Sequence, residues 1–412
     1  MNSVGSPTFA RVLDPPLLLT VQLVSLAVLL ASGLVDMAGA LQLGPLSAQA
    51  ILTICYFGAG MLLYLLVPST APLQVVTIPL CLFISWAILS LVWTPALKSG
   101  VQNVLVIGTF IILMLLAAST SANSPAFAFL VERNLNRAAT FASVLYVLTL
   151  LLDGLGTNQV IGARSFGLFA LFGVALHLSK WRYRNYRGLV GATLITLVIG
   201  ASLSRLALGI AVLLFPLSQL PSRGLTRIVK AFAILIAVGI CSYAAVLYVQ
   251  PLQERFLSGD VSLKIGSLGI NVSGRLAFWR VTLDSLNESP VFGKGAGSTE
   301  ALIEAMFVEI RHPHSDYLRI AHDYGIFGLA LWIVSVGSLL FRLWTSWRVA
   351  DKVKAPSARL HLTAFLALIA FSLQMTMENA LVYVFVAAPL GLLVGASLGL
   401  DRRGIHAHPN FA

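Results

Sequence analysis

The residues best suited to chemistry in this chain lie in one stretch, Arg311-His312-Pro313-His314-Ser315-Asp316-Tyr317-Leu318-Arg319. Pro313 keeps His312 extended, and Ser315 can cap a following helix, so His314 is expected at a helix entrance. A neutral imidazole there can take a proton from a hydroxyl. A structural hydrogen bond, or half of a His-x-His metal pair, are the other readings of His314. Asp316 and Asp323 give no recognisable ligand spacing, which disfavours the metal. His177, His322, His361, His406 and His408 are assigned no chemistry.

Cations come next. Arg275 and Arg280 are five residues apart, about 140° around a helix, so at most one faces a common ligand. Arg205 follows Ser204 between two short apolar runs, and Arg164 precedes another. An arginine held near hydrocarbon costs ~2.5–3.5 kcal/mol, which suggests an anionic partner; snorkelling to phospholipid headgroups is the plainer alternative. The segment Val291-Phe-Gly293-Lys294-Gly295-Ala-Gly297-Ser298 resembles a phosphate-binding loop only superficially. The Walker order is missing and no strand precedes it, so a flexible connector is expected, with Lys294 on a phosphate as the minor reading.

These residues must be positioned by a membrane scaffold. Of 412 residues, 58% are apolar and 10% charged, with a mean hydropathy of +0.89. Soluble chains run near one-quarter charged. The net charge of +11 is attributed to basic cytoplasmic loops rather than to nucleic acid. Cys55, Cys81 and Cys241 lie in apolar runs and are expected as small buried hydrophobes.

Runs of spanning length are Leu17–Val35, Ser47–Val67, Leu73–Trp93, Val101–Ala118, Ala138–Leu152, Phe166–Leu178, Ile228–Val249, Gly325–Trp344, His361–Met377 and Leu381–Leu400. Gly188–Leu220 as one helix would be about 50 Å long, too much for a single crossing. Splitting it at Ser204-Arg205 leaves the basic loops Lys180–Arg187 and Arg223–Lys230 on the same side, as the positive-inside rule requires. Arg133 and Arg137, the Arg348–Arg359 segment and Arg402-Arg403 agree with that side.

The expected fold is therefore an all-α integral membrane protein of about twelve spans with cytoplasmic termini. Residues 1–249 form nine spans, 250–324 a long, partly helical outer loop, and 325–412 three more spans and a tail. Met37-Ala-Gly-Ala40 resembles a cleavage site after an apolar run, but the run is long and only Arg11 precedes it, so an uncleaved span is expected. Within the outer loop Ser273 is the expected N-cap of a helix. Leu276, Trp279, Leu283 and Leu286 are its expected apolar stripe, and Ser289-Pro290 its stop.

At these residues the chain resembles the bacterial O-antigen ligase and O-antigen or exopolysaccharide polymerase superfamily. The family's ligase signature is a histidine followed by Asn, Ser or Gln, nine residues, a glycine, two residues, and Gly, Thr or Tyr. Here His314-Ser315 is followed by Asp316–Tyr324 and then Gly325-Ile-Phe-Gly328. Ser204-Arg205, Gly274-Arg275 with Trp279, and Ser289-Pro-x-x-Gly293-x-Gly295 also fit, so the likeness runs from about Arg164 to Gly328. Ser315 stands where many members have Asn.

The resemblance implies a glycan transferase of the bacterial inner membrane, its site facing the periplasm. It would use a polyprenyl (undecaprenyl) diphosphate-linked glycan as donor and need neither metal nor cofactor. Arg205 and Arg275 would hold the donor diphosphate, and His314 would activate the acceptor hydroxyl. Arg164, Arg280, His312 and Lys294 would be accessory. Partners would be the lipid-linked donor, an acceptor glycan or lipid A core, membrane lipids and a chain-length regulator. Polymerisation is marginally preferred over ligation to lipid A core. A lipid-linked glycan transporter is the alternative of another class; transporters carry mid-membrane ionisable groups and inverted repeats, and neither is evident here.

Overall fold

The computed structural model describes residues 13–34, 42–43, 46–68, 75–158, 161–220, 263–265, 268–270, 274–307 and 310–401, with isolated positions between 229 and 250. The expected span Ile228–Val249, the loop Arg223–Lys230, Ser273, Met37–Ala40 and Arg402-Arg403 lie wholly or mostly outside them. The described helices are α1 Pro15–Ser32, α2 Ala48–Leu66, α3 Ile78–Leu89, α4 Leu97–Asn123, α5 Pro125–Asp153, α6 Ala163–Arg182, α7 Tyr186–Ala201 and α8 Arg205–Gln219. They continue as α9 Arg275–Leu286, α10 Ser298–Met306, α11 Asp316–Lys352, α12 Ala358–Met377 and α13 Val384–Asp401. The architecture is all-helical as expected, with two short antiparallel ribbons beside it, Gln42–Leu43 with Leu46–Ser47 and Leu263–Ile265 with Leu268–Ile270.

Seven of these helices (α1, α2, α4, α5, α11, α12 and α13) are long and apolar enough to cross a membrane, and Ile78–Val92, α7 and α8 are shorter apolar helices. Apolar side chains lie on the outside as well as the inside: Leu62, Leu65, Ile78, Leu151 and Leu197 are all exposed. In water such a surface would be a liability, whereas hydrocarbon solvates it.

The middle of the bundle is α13, whose residues Val384 to Leu400 are all buried. Gly391, Gly395 and Gly399 stand at four-residue spacing on one face. A Cβ built on each would run into the carbonyls of Phe110, Met114 and Ala118 on α4. Without side chains there, the two backbones approach closely, the usual way lipid-embedded helices gain van der Waals contact.

Contacts at helix termini sort the bundle into two ends. At one end Arg182 donates to the carbonyls of Ser218 and Leu220 and lies over the Trp347 ring. Arg359 grips Glu132 through two hydrogen bonds of 2.7 and 2.9 Å, Tyr183 donates to Asp351, and Ser346 donates to Asp401. Arg182 meeting the last residues of α8 shows that α7 and α8 form a hairpin with Ser202–Ser204 at its tip. The split of Gly188–Leu220 into two helices is thus seen directly.

At the other end α11 begins with Ser315 as N-cap, its hydroxyl accepting from the Leu318 amide. The helix breaks at Gly325, where φ is 73° and ψ 177°, the expected start of the span. The freed amides of Ile326 and Phe327 donate to the carbonyls of Pro290 and Val291. Gly325 is therefore fixed by a close approach of the 290–292 backbone, which leaves no room for a Cβ.

Two expectations for α9 are corrected. Its N-cap is Gly274, in the left-handed conformation at φ 72°, rather than Ser273. Its buried face carries Phe278 and Thr282, whereas Leu276 and Leu283 of the expected stripe are exposed. Spacing finds an apolar face but not what covers it, and in a membrane-associated segment that face need not turn to protein.

Candidate active site

Arg164, Arg205, Arg275, His314 and Glu378 line one small cavity of about 90 Å³, with Ser202, Leu203 and Ser204 completing its wall. Each arginine stands in the first turn of a helix. Arg164, expected ahead of the apolar run Phe166–Leu178, is the second residue of α6; Arg205 opens α8 and Arg275 opens α9. The turns that aim them are tight: Leu203 has φ 56° and Gly274 φ 72°. The positive helix-dipole end accompanies each guanidinium, so three N-terminal poles converge with three side-chain charges.

Glu378 holds this cluster together. It follows the last residue of α12, and its carboxylate meets Arg275 at 2.9 Å and Arg164 at 3.2 Å. The charge of Arg205 also reaches it. Burial pushes the Glu378 carboxyl above the usual range, against the pull of Arg164, Arg275 and Arg205.

His314 takes a left-handed backbone, φ 56°, rare for a residue with a side chain and worth attention at a site. Its Nδ1 lies 3.2 Å from Asn379 Nδ2, 3.4 Å from Arg164 and 3.9 Å from Glu378. Phe278 packs beside the ring. Burial, reinforced by the charges of Arg164 and Arg275, lowers its pKa from 6.5 to about 3. The ring is therefore neutral at physiological pH and free to accept a proton.

The surrounding elements lock this geometry. Trp279 donates its indole N–H to the Pro313 carbonyl at 2.9 Å, tying α9 to the His-Pro-His segment. Asp316, fully buried, accepts from Arg319 at 3.0 Å and from the Leu381 amide at 2.7 Å. The residue two past His314 thus grips the residue two past Asn379. Asp316 has no access to a substrate.

The glycine segment is not the flexible connector expected. The Gly295 amide donates to the Asp323 carbonyl, and the amides of Gly297 and Thr299 donate to the Asp323 carboxylate at 3.1 and 2.8 Å. It is an anion-binding loop whose anion is the protein's own Asp323, also fully buried. Lys294 pairs with Glu288 and donates to Ser285, so it is held against the C-terminal end of α9. His322 joins Ser285, Ser298 and Thr299 in the same interior network.

Arg280 is exposed and lies outside the cavity, as the 140° separation from Arg275 requires. His312 does not line the cavity; its Nδ1 is buried without a hydrogen-bond partner among the described residues, and burial lowers its pKa to about 3. The sequence reading considered Glu378 only as a substitute base for His314 and missed Asn379. The signal of the pair was present: a lone acidic residue and an amide between two long apolar runs, on the side carrying the other ionisable groups.

Residues 141–333 match the family described as O-antigen ligase. No curated protein matches the chain.

Proposed function

We propose, from the match of residues 141–333 to the O-antigen ligase family, that this chain is a member of the O-antigen ligase and polymerase superfamily and transfers a glycan from a polyprenyl diphosphate carrier to a sugar hydroxyl. The observation that carries the reading is the convergence of Arg164, Arg205 and Arg275 on a cavity holding His314. Three guanidiniums less the Glu378 carboxylate leave two positive charges, the complement of a diphosphate esterified at both ends. Charge develops on that diphosphate as the sugar departs, and fixed guanidiniums in a poorly solvated site stabilise it without reorganising.

In this reading His314 takes the proton of the acceptor hydroxyl as its oxygen bonds to the sugar's anomeric carbon. The bond from that carbon to the diphosphate breaks, and its electron pair leaves with the diphosphate. The guanidiniums supply the charge that a metal would otherwise bring, which supports a metal-independent transfer. The polyprenyl tail lies against the apolar flank of the bundle, so the site belongs at the membrane surface.

Topology is part of the proposal. Lys180, Arg182, Arg348, Lys352 and Arg359 share the end opposite the cavity, the expected cytoplasmic end of a bacterial inner-membrane protein. With the expected span Ile228–Val249, which lies mostly outside the described residues, the total is about twelve and the cavity faces the periplasm.

Polymerisation and ligation to lipid A core use the same donor site, and polymerisation is the reading we adopt. Purified protein incubated with a polyprenyl-diphosphate oligosaccharide, alone and with lipid A core, tests it. Chain lengthening without core supports polymerisation, and transfer to core alone supports ligation. An unconsumed donor refutes transfer and favours transport.

A further inference from the structure

Asn379 is almost completely buried, at 1% exposure. Its amide faces Nδ1 of His314 at 3.2 Å, while its Oδ1 is buried without a hydrogen-bond partner among the described residues. The Asp316–Leu381 bond fixes ring and amide against each other. This placement decides which nitrogen of His314 carries the proton, because a neutral imidazole has one N–H and one lone pair.

Three groups face Nδ1. Arg164 has only N–H groups to offer and favours a lone pair there, but its contact of 3.4 Å is at the far edge of hydrogen bonding. Its closer partner is Glu378, and its side chain is 44% exposed, where an incoming diphosphate would claim it. The Glu378 carboxylate, 3.9 Å away, favours a proton on Nδ1. Asn379 can serve either state, since half a turn of its amide exchanges Nδ2 and Oδ1 in the same volume. That half-turn gives the orphaned Oδ1 a donor.

We propose that Asn379 is the positioning residue that selects the tautomer of His314, its Oδ1 accepting the Nδ1–H so that Nε2 carries the basic lone pair. The acceptor hydroxyl then gives its proton to Nε2. Nδ1 keeps its own, and the resulting imidazolium releases the Nε2 proton to solvent after the diphosphate has left. The role in transfer rests on the proposed function, whereas the tautomer is a property of the protein without substrate.

Full-length protein with ¹⁵N-labelled histidine, in lipid, provides the test, the His314 signal being identified by its loss in His314→Gln. The expected spectrum at neutral pH has a protonated Nδ1 and an unprotonated Nε2, and Asn379→Leu abolishes that preference. A wild-type ring protonated on Nε2, or a spectrum unchanged in Asn379→Leu, overturns the proposal. In turnover with a polyprenyl-diphosphate oligosaccharide, Asn379→Leu should lower kcat about 10²-fold while leaving the donor KM within about two-fold. Asn379→Asp keeps an acceptor oxygen and should restore most of kcat. Its added carboxylate stabilises the imidazolium, so the acidic limb of its kcat profile should move to higher pH. Failure of Asp to rescue, or a loss carried by KM, counts against the proposal. If wild-type protein leaves the donor unconsumed, glycan transfer fails as a reading while the nitrogen spectrum still decides the tautomer.

Discussion

Arg205 and Arg275 each join a side-chain charge to a helix N-terminus, so a change at either removes a fixed donor from a developing anion. Arg205→Ala and Arg275→Ala should each lower turnover by about 10²–10³. Lysine should restore only part, since it keeps the charge and loses the fork. Arg280→Ala, on the exposed side of α9, should stay near wild type, and a loss equal to that of Arg275→Ala would refute the arrangement described. His314→Ala should nearly abolish transfer while donor-lipid binding persists, and His312→Ala should do less, its ring lying outside the cavity. The pH dependence has a definite sign. The His314 pKa is lowered to about 3, and the base is active when unprotonated. In the free enzyme the acidic limb of kcat/KM should therefore lie well below the ordinary 6.5. A limb at or above the ordinary value would remove His314 as the base or show that solvent reaches it.

At the scale of elements, the family's spaced residues acquire separate physical reasons. Ser315 caps α11, Gly325 lets the 290–292 backbone pair with the broken helix, and Trp279 ties α9 to Pro313. The glycine segment binds Asp323, so its role is architectural. Asp323→Ala strands the amides of Gly297 and Thr299, each costing about 1–3 kcal/mol when buried and unpaired. It should lower the melting temperature in detergent and the folded yield; a normal melting temperature with lost turnover would instead make Asp323 a catalytic group. The glycine seam of α13 makes a comparable demand. Gly395→Leu places a side chain where the Met114 carbonyl now stands and should prevent stable packing of α13 on α4, read as loss of monodisperse protein after solubilisation.

The whole molecule separates charge along its axis, with lysines and arginines crowding one end and the arginine–glutamate–histidine cavity at the other. Impermeant thiol labelling checks the sidedness, in a background with Cys55, Cys81 and Cys241 replaced. With the outer membrane permeabilised, a cysteine at Asn287 should label in intact cells and one at Arg184 should not. Strong labelling at Arg184 would invert the topology and place the cavity toward the cytoplasm.

Composition alone determined that the chain belongs in a bilayer, because apolar runs of spanning length have few other uses. Basic loops determined the hairpin of α7 and α8, since charge asymmetry is written directly in the sequence. The histidine and arginines of the cavity were legible because each sits beside a turn or cap with its own local signal. Tertiary structure alone decided the rest. Glu378 and Asn379 lie 64 and 65 residues beyond His314 and reach it only through the return of α12 and the grip of Asp316 on Leu381. The glycine segment has the composition of a phosphate loop, and only packing shows that a carboxylate from α11 already fills it. The buried face of α9 likewise depends on what lies against it, because periodicity gives the direction of a stripe but not its neighbour.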